Sequence, residues 1–296
     1  MYSWLYALIT VFGWGTWLAP SQRVKFPNQQ IKNLYVAGTN LIIATVVALL
    51  QGSTRAVDGA MFWLTFAGGL IWAVGGLAAF TGTAKLGMAK AFGIWAPLNI
   101  AVSLIWGAVL FDEFINLGGG AIARLIAAVL TILTGVLLII LAKGGAEETQ
   151  EQGAFRLGLL GAIGAGVLWG SYFIPVKISG VSAWAGAFPM ALGMAAGSAL
   201  LAVLSHQSWK LASIGDAGRA CLTGALWSLG NYGMLLLVGV IGAGKGFTIS
   251  QLSVVVSALI GIYWLHEPAP RTRAARLTFI GCVLAMLGGI VLGNLK

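Results

Sequence analysis

The chain has 296 residues, 59% of them hydrophobic and 8% charged, with a formal net charge of +9. A soluble domain carries about 25% charged residues, so this chain lacks the polar surface to clothe a globule in water, and the bilayer is its solvent. The basic residues sit in short gaps between apolar runs, where they orient helices and meet anionic head groups; no basic face interleaved with exposed aromatics is present, which excludes nucleic acid as a partner.

A membrane span needs roughly 20 apolar residues with few charges. Ten runs qualify: 2–20, 33–51, 61–82, 88–111 and 121–142, then 157–176, 183–204, 219–241, 246–265 and 275–294. The first begins Met1-Tyr2-Ser3-Trp4, with no basic leader and no small-residue cleavage pattern, so it is expected to be a retained span. All ten are predicted helices, because an open strand cannot satisfy its backbone in lipid and no alternation of period two suggests a barrel. The longest charged gap, 143–156, contains Glu147, Glu148 and Glu151 and separates an N-terminal five-helix repeat (1–142) from a C-terminal one (157–296).

The division into repeats rests on identities at one constant offset. Trp14-Gly15-Thr16-Trp17-Leu18-Ala19-Pro20 returns 155 positions later as Trp169-Gly170-Ser171-Tyr172-Phe173-Ile174-Pro175. Gly69, Trp72, Gly75, Gly87, Lys90 and Phe92 fall on Gly224, Trp227, Gly230, Gly242, Lys245 and Phe247 at the same offset. Five spans per half is an odd number, so the second half enters the membrane inverted. Inverted repeats place a site at their interface near the midplane and expose it to either face by rocking. The fold expected is therefore an all-α integral membrane protein of ten transmembrane helices in two inverted five-helix repeats.

Basic residues outside the spans set the orientation. Arg23, Lys25, Lys32, Lys85, Lys143, Arg156, Lys210, Arg219, Arg271, Arg273 and Arg276 share one side; Arg55, Arg124, Lys177, Lys245 and Lys296 share the other. The excess places the first set in the cytoplasm and both termini outside, in a multi-pass protein of the cytoplasmic membrane. Small residues spaced four apart, such as Gly193/Gly197 and Gly281/Ala285/Gly289/Gly293, are expected where helices pack closely.

None of the spans carries Asp or Glu in its interior, which counts against a carboxylate-based exchanger of cationic drugs. The intramembrane cations are Lys90 and Lys245, a repeat pair in the first turns of the fourth and ninth helices. Two readings stand: they snorkel to the head groups, or they act at the two gates. Gly239, Gly244 and Lys245 match part of a phosphate-binding loop, but Gly246 replaces the hydroxyl residue and no strand precedes, so the match is accidental. Asn40, Asn99, Asn231 and Gln251 are amides inside spans, accompanied by Thr39, Ser103, Tyr232, Ser250 and Ser253; they either bind a solute or join helices. Of the 12 Trp, Trp4, Trp63, Trp209 and Trp264 sit near span ends as interfacial residues. Trp14, Trp17, Trp72, Trp95, Trp169, Tyr172 and Trp227 lie deeper, where their rings suit the C–H faces of a sugar or, as a cation–π box, a quaternary amine. Pro20 and Pro175 end or bend the first helix of each repeat and are candidate gates. Cys221 and Cys282 lie in apolar runs with no metal-type spacing, and His206 and His266 lie at loop edges, so neither metal, cofactor nor enzyme chemistry is indicated.

The repeat, the ten spans and the Trp-Gly…Pro opening of each half resemble the drug/metabolite transporter superfamily. Within it, Trp72 to Phe114 and Gly242 to Pro268 look like the bacterial glucose/ribose uptake porters: a Trp-Ala-x-Gly segment enters helix three, Ser250-Gln251 stands in helix nine, and Glu113 and Glu267 close the two stretches. The chain departs from that pattern at Gly76 and Ala79, where the family has Gln, and at Asn99, where it tends to Gln. The resemblance implies proton-coupled sugar uptake. Substrate contacts are thus expected from Trp14, Trp17, Asn40, Trp72, Trp95, Asn99, Trp169, Tyr172, Asn231 and Gln251, with gating by Pro20, Lys90, Pro175 and Lys245, in a monomer or homodimer whose partners are a small-molecule substrate and membrane lipids. The alternative is an exporter or carrier of amino acids, choline-like amines or other metabolites in the same superfamily.

Overall fold

The computed structural model describes residues 2–54, 57–111, 118–142, 152–241, 246, 249–250 and 252–294, among which every regular element is helical. The first half holds α1 (Ser3–Thr16), α2 (Gln29–Leu50), α3 (Gly59–Leu86), α4 (Met88–Leu110) and α5 (Gly119–Leu141). The second holds α6 (Gln152–Trp169), α7 (Phe173–Ile178), α8 (Ala183–Leu204), α9 (Ile214–Ile241), α10 (Leu252–Leu259) and α11 (Arg273–Gly293). Eight spans among the described residues, α6 and α7 counting as one, are long and apolar enough to cross a membrane. α10 runs on into a π-helical turn, Ile260–Trp264, to make a shorter apolar helix. Each of the ten predicted runs therefore coincides with helix. Residues 143–151 of the predicted linker lie outside the described residues; α6 starts at Gln152, earlier than the expected 157.

Local chemistry sets the helix ends. Asn28, Ser182 and Thr272 are N-caps whose side chains accept from Ile31, Ala185 and Ala275 N–H, satisfying donors that the first turn leaves free. Between α3 and α4 the chain turns on Gly87 alone, at φ 78°: its N–H closes α3 on Thr83 O, and its carbonyl accepts from Ala91 to open α4. α1 stops at Thr16, and Pro20 sits in a short 3₁₀ turn, Ala19–Ser21; α6 stops at Trp169, and Pro175 sits within α7. Both repeated prolines thus follow a break in the span. Lacking an N–H, each leaves the carbonyl one turn earlier without its helical donor.

The helices pack through backbone-close contacts. α3 lies on α6 and α8, α1 on α9, α2 on α8 and α9, α4 on α6, α1 on α10, and α5 on α11. At the α3–α8 crossing, a Cβ on Gly193 would run into the carbonyl oxygen of Phe66, and one on Gly69 into that of Met190. Such approach is what joins helices in lipid, where apolar side chains gain nothing by leaving the solvent. Large side chains point outward instead: on α5, Ile126, Leu130, Leu137 and Leu141 are exposed, while Ala128, Ile132, Gly135 and Ile139 are buried. Trp4, Trp63, Trp209 and Trp264 are exposed as well.

One face of the bundle collects the end of α1, the α3–α4 turn and the loop before α11. Arg23 donates to Trp264 O at 3.3 Å there, and Met88 N–H to a Glu267 carboxylate oxygen at 3.3 Å. This is the near face. The far face holds the end of α4 and α7, where the Lys177 ammonium lies 3.9 Å from the centre of the Phe111 ring.

Gly193→Ala is expected to force α3 and α8 apart and cost about 2 kcal/mol, as overpacking of a tight core does. Thermal unfolding in detergent checks it: Gly193→Ala lowers Tm, whereas Gly118→Ala, with no atom within 4 Å of the added carbon, leaves it unchanged.

Candidate functional site

The tryptophans converge between the two halves. Trp72 stacks on Trp169 with ring centroids 5.6 Å apart and meets Trp227 edge-on at 5.0 Å. Trp95 meets Trp169 edge-on at 5.6 Å, and Trp17 lies 6.1 Å from Trp169 and 5.8 Å from Phe80. Two glycines make this possible. A Cβ on Gly75 would lie 2.6 Å from Trp169 Cδ1, and one on Gly230 would run into the Trp14 ring. Each indole lies directly on a bare helix backbone, Trp169 on α3 and Trp14 on α9.

These rings wall a cavity of about 340 Å³, within the range of small-molecule sites. α1 and its end contribute Trp14 and Trp17, α3 contributes Trp72, and α4 contributes Phe92, Trp95, Ala96, Asn99, Ile100 and Ser103. From the second half come Trp169, Tyr172 and Phe173, then Trp227, then Ser250, Ser253 and Val254. Seven of the ten predicted contact residues line it: Trp14, Trp17, Trp72, Trp95, Asn99, Trp169 and Tyr172. Phe92, Phe173 and Trp227 join them without having been singled out as contacts; for Trp227 the signal was present, since it is the repeat partner of Trp72.

The polar lining is uncharged. Asn99 Oδ1 accepts from the Ser103 hydroxyl at 3.4 Å, and that hydroxyl also lies 3.3 Å from Gly170 O. Ser250, Ser253 and the Tyr172 phenol complete the set. No Asp, Glu, Lys, Arg or His stands among the described lining residues, and no group of three or more His, Cys, Asp or Glu that could hold a metal ion occurs among the described residues.

Other predicted residues lie elsewhere. Asn40 is buried at 4% exposure, its Oδ1 accepting from Ser228 at 2.8 Å and its Nδ2 donating to Met194 Sδ at 3.4 Å. It ties α2 to α8 and α9, and so its amide is taken up by helix joining. Asn231 is half-buried on α9 and does not line the cavity. Gln251 and Lys245 lie outside the described residues. Pro20 and Pro175 flank the cavity's breaks without lining it. Lys90 is 2% exposed, and its ammonium donates to the carbonyl of Ala142, at the end of α5. It therefore does not snorkel: the negative end of the α5 dipole receives the charge that the start of α4 disfavours.

Sequence reasoning counted Lys32 with the surface charges, but it is 3% exposed in the first turn of α2, its ammonium 4.9 Å from the centre of the Phe80 ring. Glu267 was read only as a helix-end residue. Its carboxylate sits half-buried against Gly87, where an added Cβ would be 2.8 Å from Glu267 Cβ, and it accepts from Met88 N–H. Burial pushes this carboxyl above its ordinary 4.5, against the opposing pull of the Met88 N–H and of the Lys32 and Arg23 charges. No sequence signal marked the pair, because the residues are far apart in the chain and meet only through the near-face turn.

The sequence model of a family described as sugar transport protein matches residues 5–295. A protein of Enterococcus faecalis named for sugar uptake is 27% identical over 297 residues, 99% of either chain. One of Priestia megaterium named for glucose uptake is 26% identical over 237 residues, 80% of either chain. A solved crystal structure shares the fold, with TM-score 0.61 at 18% identity, covering 98% of this chain and 96% of its own.

Glu267 gives the stability a pH dependence of known sign. An acid whose folded pKa exceeds its unfolded value contributes stability that is fully present below the unfolded value and is lost as pH rises through the folded one. Melting temperatures taken upward from pH 4.5 should therefore fall in a step in the parent chain, and that step should be absent in Glu267→Gln.

Proposed function

The chain belongs to the sugar transport protein family and is a membrane transporter, and from that premise we propose that it carries a small neutral sugar across the cytoplasmic membrane by alternating access. The observation that carries the reading is the tryptophan-walled cavity between the halves, which has no charged group among its described lining residues. A pyranose presents C–H faces that lie on indole and a rim of hydroxyls that needs short donors and acceptors. Trp72, Trp95, Trp169 and Trp227 supply the faces; Asn99, Ser103, Tyr172, Ser250 and Ser253 supply the rim. A quaternary amine would use the rings and leave that rim idle, and a metabolite anion would lack a counter-charge among the described lining residues.

Alternating access follows from the inverted repeat, which is part of the proposal. It is supported by the pattern of helix packing, for exchanging the halves exchanges α3–α6 with α9–α1, α3–α8 with α9–α2 and α4–α6 with α10–α1, all of which are in contact. It is supported also at atomic scale: the offset of 155 that relates Trp14 to Trp169 relates Gly230 to Gly75, and each indole lies on the glycine of the other half. The cavity draws on the helix pairs α1/α6, α3/α9 and α4/α10, three from each half. The basic excess on the near face is the support for placing that face in the cytoplasm.

Within this frame the walls are chemically unequal. At the offset, Trp95 corresponds to Ser250 and Asn99 to Val254. The first half thus supplies the ring and the amide, and the second a hydroxyl and a methyl surface, so a sugar is held in one orientation.

Uptake of radiolabelled sugars by proteoliposomes containing the purified chain tests the reading, with choline and amino acids as the counter-panel and with and without an imposed proton gradient for the coupling. Saturable uptake of a neutral sugar is expected. Asn99→Ala and Trp95→Phe should each reduce uptake efficiency about tenfold or more, the worth of one buried hydrogen bond or ring contact, compared at matched amounts of folded protein. Accumulation of choline or an amino acid, with no sugar transported, would sink the substrate assignment.

A further inference from the structure

The two repeated indoles are packed alike but bonded differently. Trp169 Nε1 donates to the backbone carbonyl of Trp72 at 3.1 Å. The corresponding acceptor for Trp14 is the carbonyl of Trp227, 155 positions after Trp72. Trp14 Nε1 is buried and has no hydrogen-bond partner among the described residues. Both rings lie with Cδ1 and Nε1 against their glycine, Trp169 on Gly75 and Trp14 on Gly230. The two rings are thus seated alike on their glycines and differ in the bond they make.

A second asymmetry runs alongside. Trp17 and Leu18, toward the near face, are 2% and 0% exposed. Their counterparts Tyr172 and Phe173, toward the far face, are both half-buried. The same motif is fully buried at one end of the cavity and only half-buried at the other. The bonded indole belongs to the half whose motif is half-buried, and the unbonded one to the half whose motif is fully buried.

We infer that Trp14 and Trp169 form a reciprocal pair of hydrogen-bond latches that distinguishes the two access states. In this structure, which the burial of the two motifs assigns to the far-face-open state, Trp169 is bonded to Trp72 O and Trp14 is unbonded; in the near-face-open state, Trp14 bonds Trp227 O and Trp169 lets go. The physical reason is that a buried indole N–H without an acceptor is costly, so each state holds one satisfied and one unsatisfied donor, and neither is favoured by more than one bond. A carrier needs that near balance, because a state stabilised by several such bonds would not be left. This inference rests on the alternating-access reading and names the residues that set its equilibrium.

The test uses two reporter cysteines at corresponding positions, Leu18→Cys and Phe173→Cys, each in a Cys221→Ala, Cys282→Ala background, labelled with a membrane-impermeant maleimide from either side of the membrane. Without further change, Phe173→Cys should label fast and Leu18→Cys slowly. Trp169→Phe removes the latch of the far-face-open state, so it should slow Phe173→Cys and speed Leu18→Cys by about three- to tenfold, the effect of one net hydrogen bond on a two-state equilibrium. Trp14→Phe should do the reverse. If both substitutions move the reporters the same way, or leave them unmoved, the latch is overturned while the carrier reading stands. If Leu18→Cys stays unlabelled in every background while Phe173→Cys labels throughout, alternating access itself has failed. A readout on the tryptophan-intact chain guards against misfolded variants. With ¹⁵N-indole labelling, the Trp169 N–H should exchange with solvent deuterium more slowly than the Trp14 N–H; equal protection would overturn the proposal.

Discussion

Two indole rings rest on two glycines, and the rest of the molecule is arranged so that they can. Trp169 lies on Gly75 of α3, and Trp14 on Gly230 of α9. A methyl group at either glycine would displace the ring, and with it the neighbours that stack on it. Because the Cδ1–Nε1 edge of each ring rests on bare backbone, α3 can come close to α6 and α9 to α1. The space enclosed beyond them is the cavity. Apolar surface alone could not have produced this, since lipid offers leucine the same surroundings as another helix does. Shape, at the scale of a missing Cβ, is the force that organises the bundle.

The same logic explains what the chain says plainly and what it withholds. Span positions were legible because hydrocarbon admits only long apolar helices. The deep tryptophans were legible through the repeat: Trp14 and Trp169 recur at one offset, and that recurrence led to the cavity. Asn40 was misplaced among contacts because an amide inside a span looks the same whether it faces a solute or, as here, Ser228 and Met194. Lys90 and Lys32 show the limit in another way. The sequence marks Lys90 as a costly intramembrane cation and groups Lys32 with the surface charges; in both cases the compensation, the Ala142 carbonyl for Lys90 and the Phe80 ring for Lys32, comes from elsewhere in the fold. Partner identity is tertiary information, and spacing along one helix does not carry it.

The near face differs in kind from the cavity. It concentrates charge: Arg23, Lys32 and Glu267 come together around the single-residue turn at Gly87, and they join loops from both halves. The cavity concentrates rings and hydroxyls with no formal charge among its described residues. Under the proposed function a sugar would meet the second environment, whereas closing the near face would engage the first. Substitutions in the two places are therefore separable in principle, one set acting on the bound solute and the other on the end of the bundle.

The unequal walls of the cavity have a thermodynamic consequence. Trp95 and Asn99 on one side face Ser250 and Val254 at the corresponding places on the other. In the proposed alternating-access cycle, a solute entering from the near face and one entering from the far face would meet these groups in opposite order, and the two half-saturation concentrations would differ. Microscopic reversibility then ties them together. Without a coupled ion, the ratio of inward to outward maximal rates must offset the ratio of half-saturation concentrations, so that no net gradient forms. Any departure from that balance measures the work supplied by a second ion, and in the proposed cycle the asymmetry of a few side chains would set the concentration range over which the carrier runs faster in one direction than in the other.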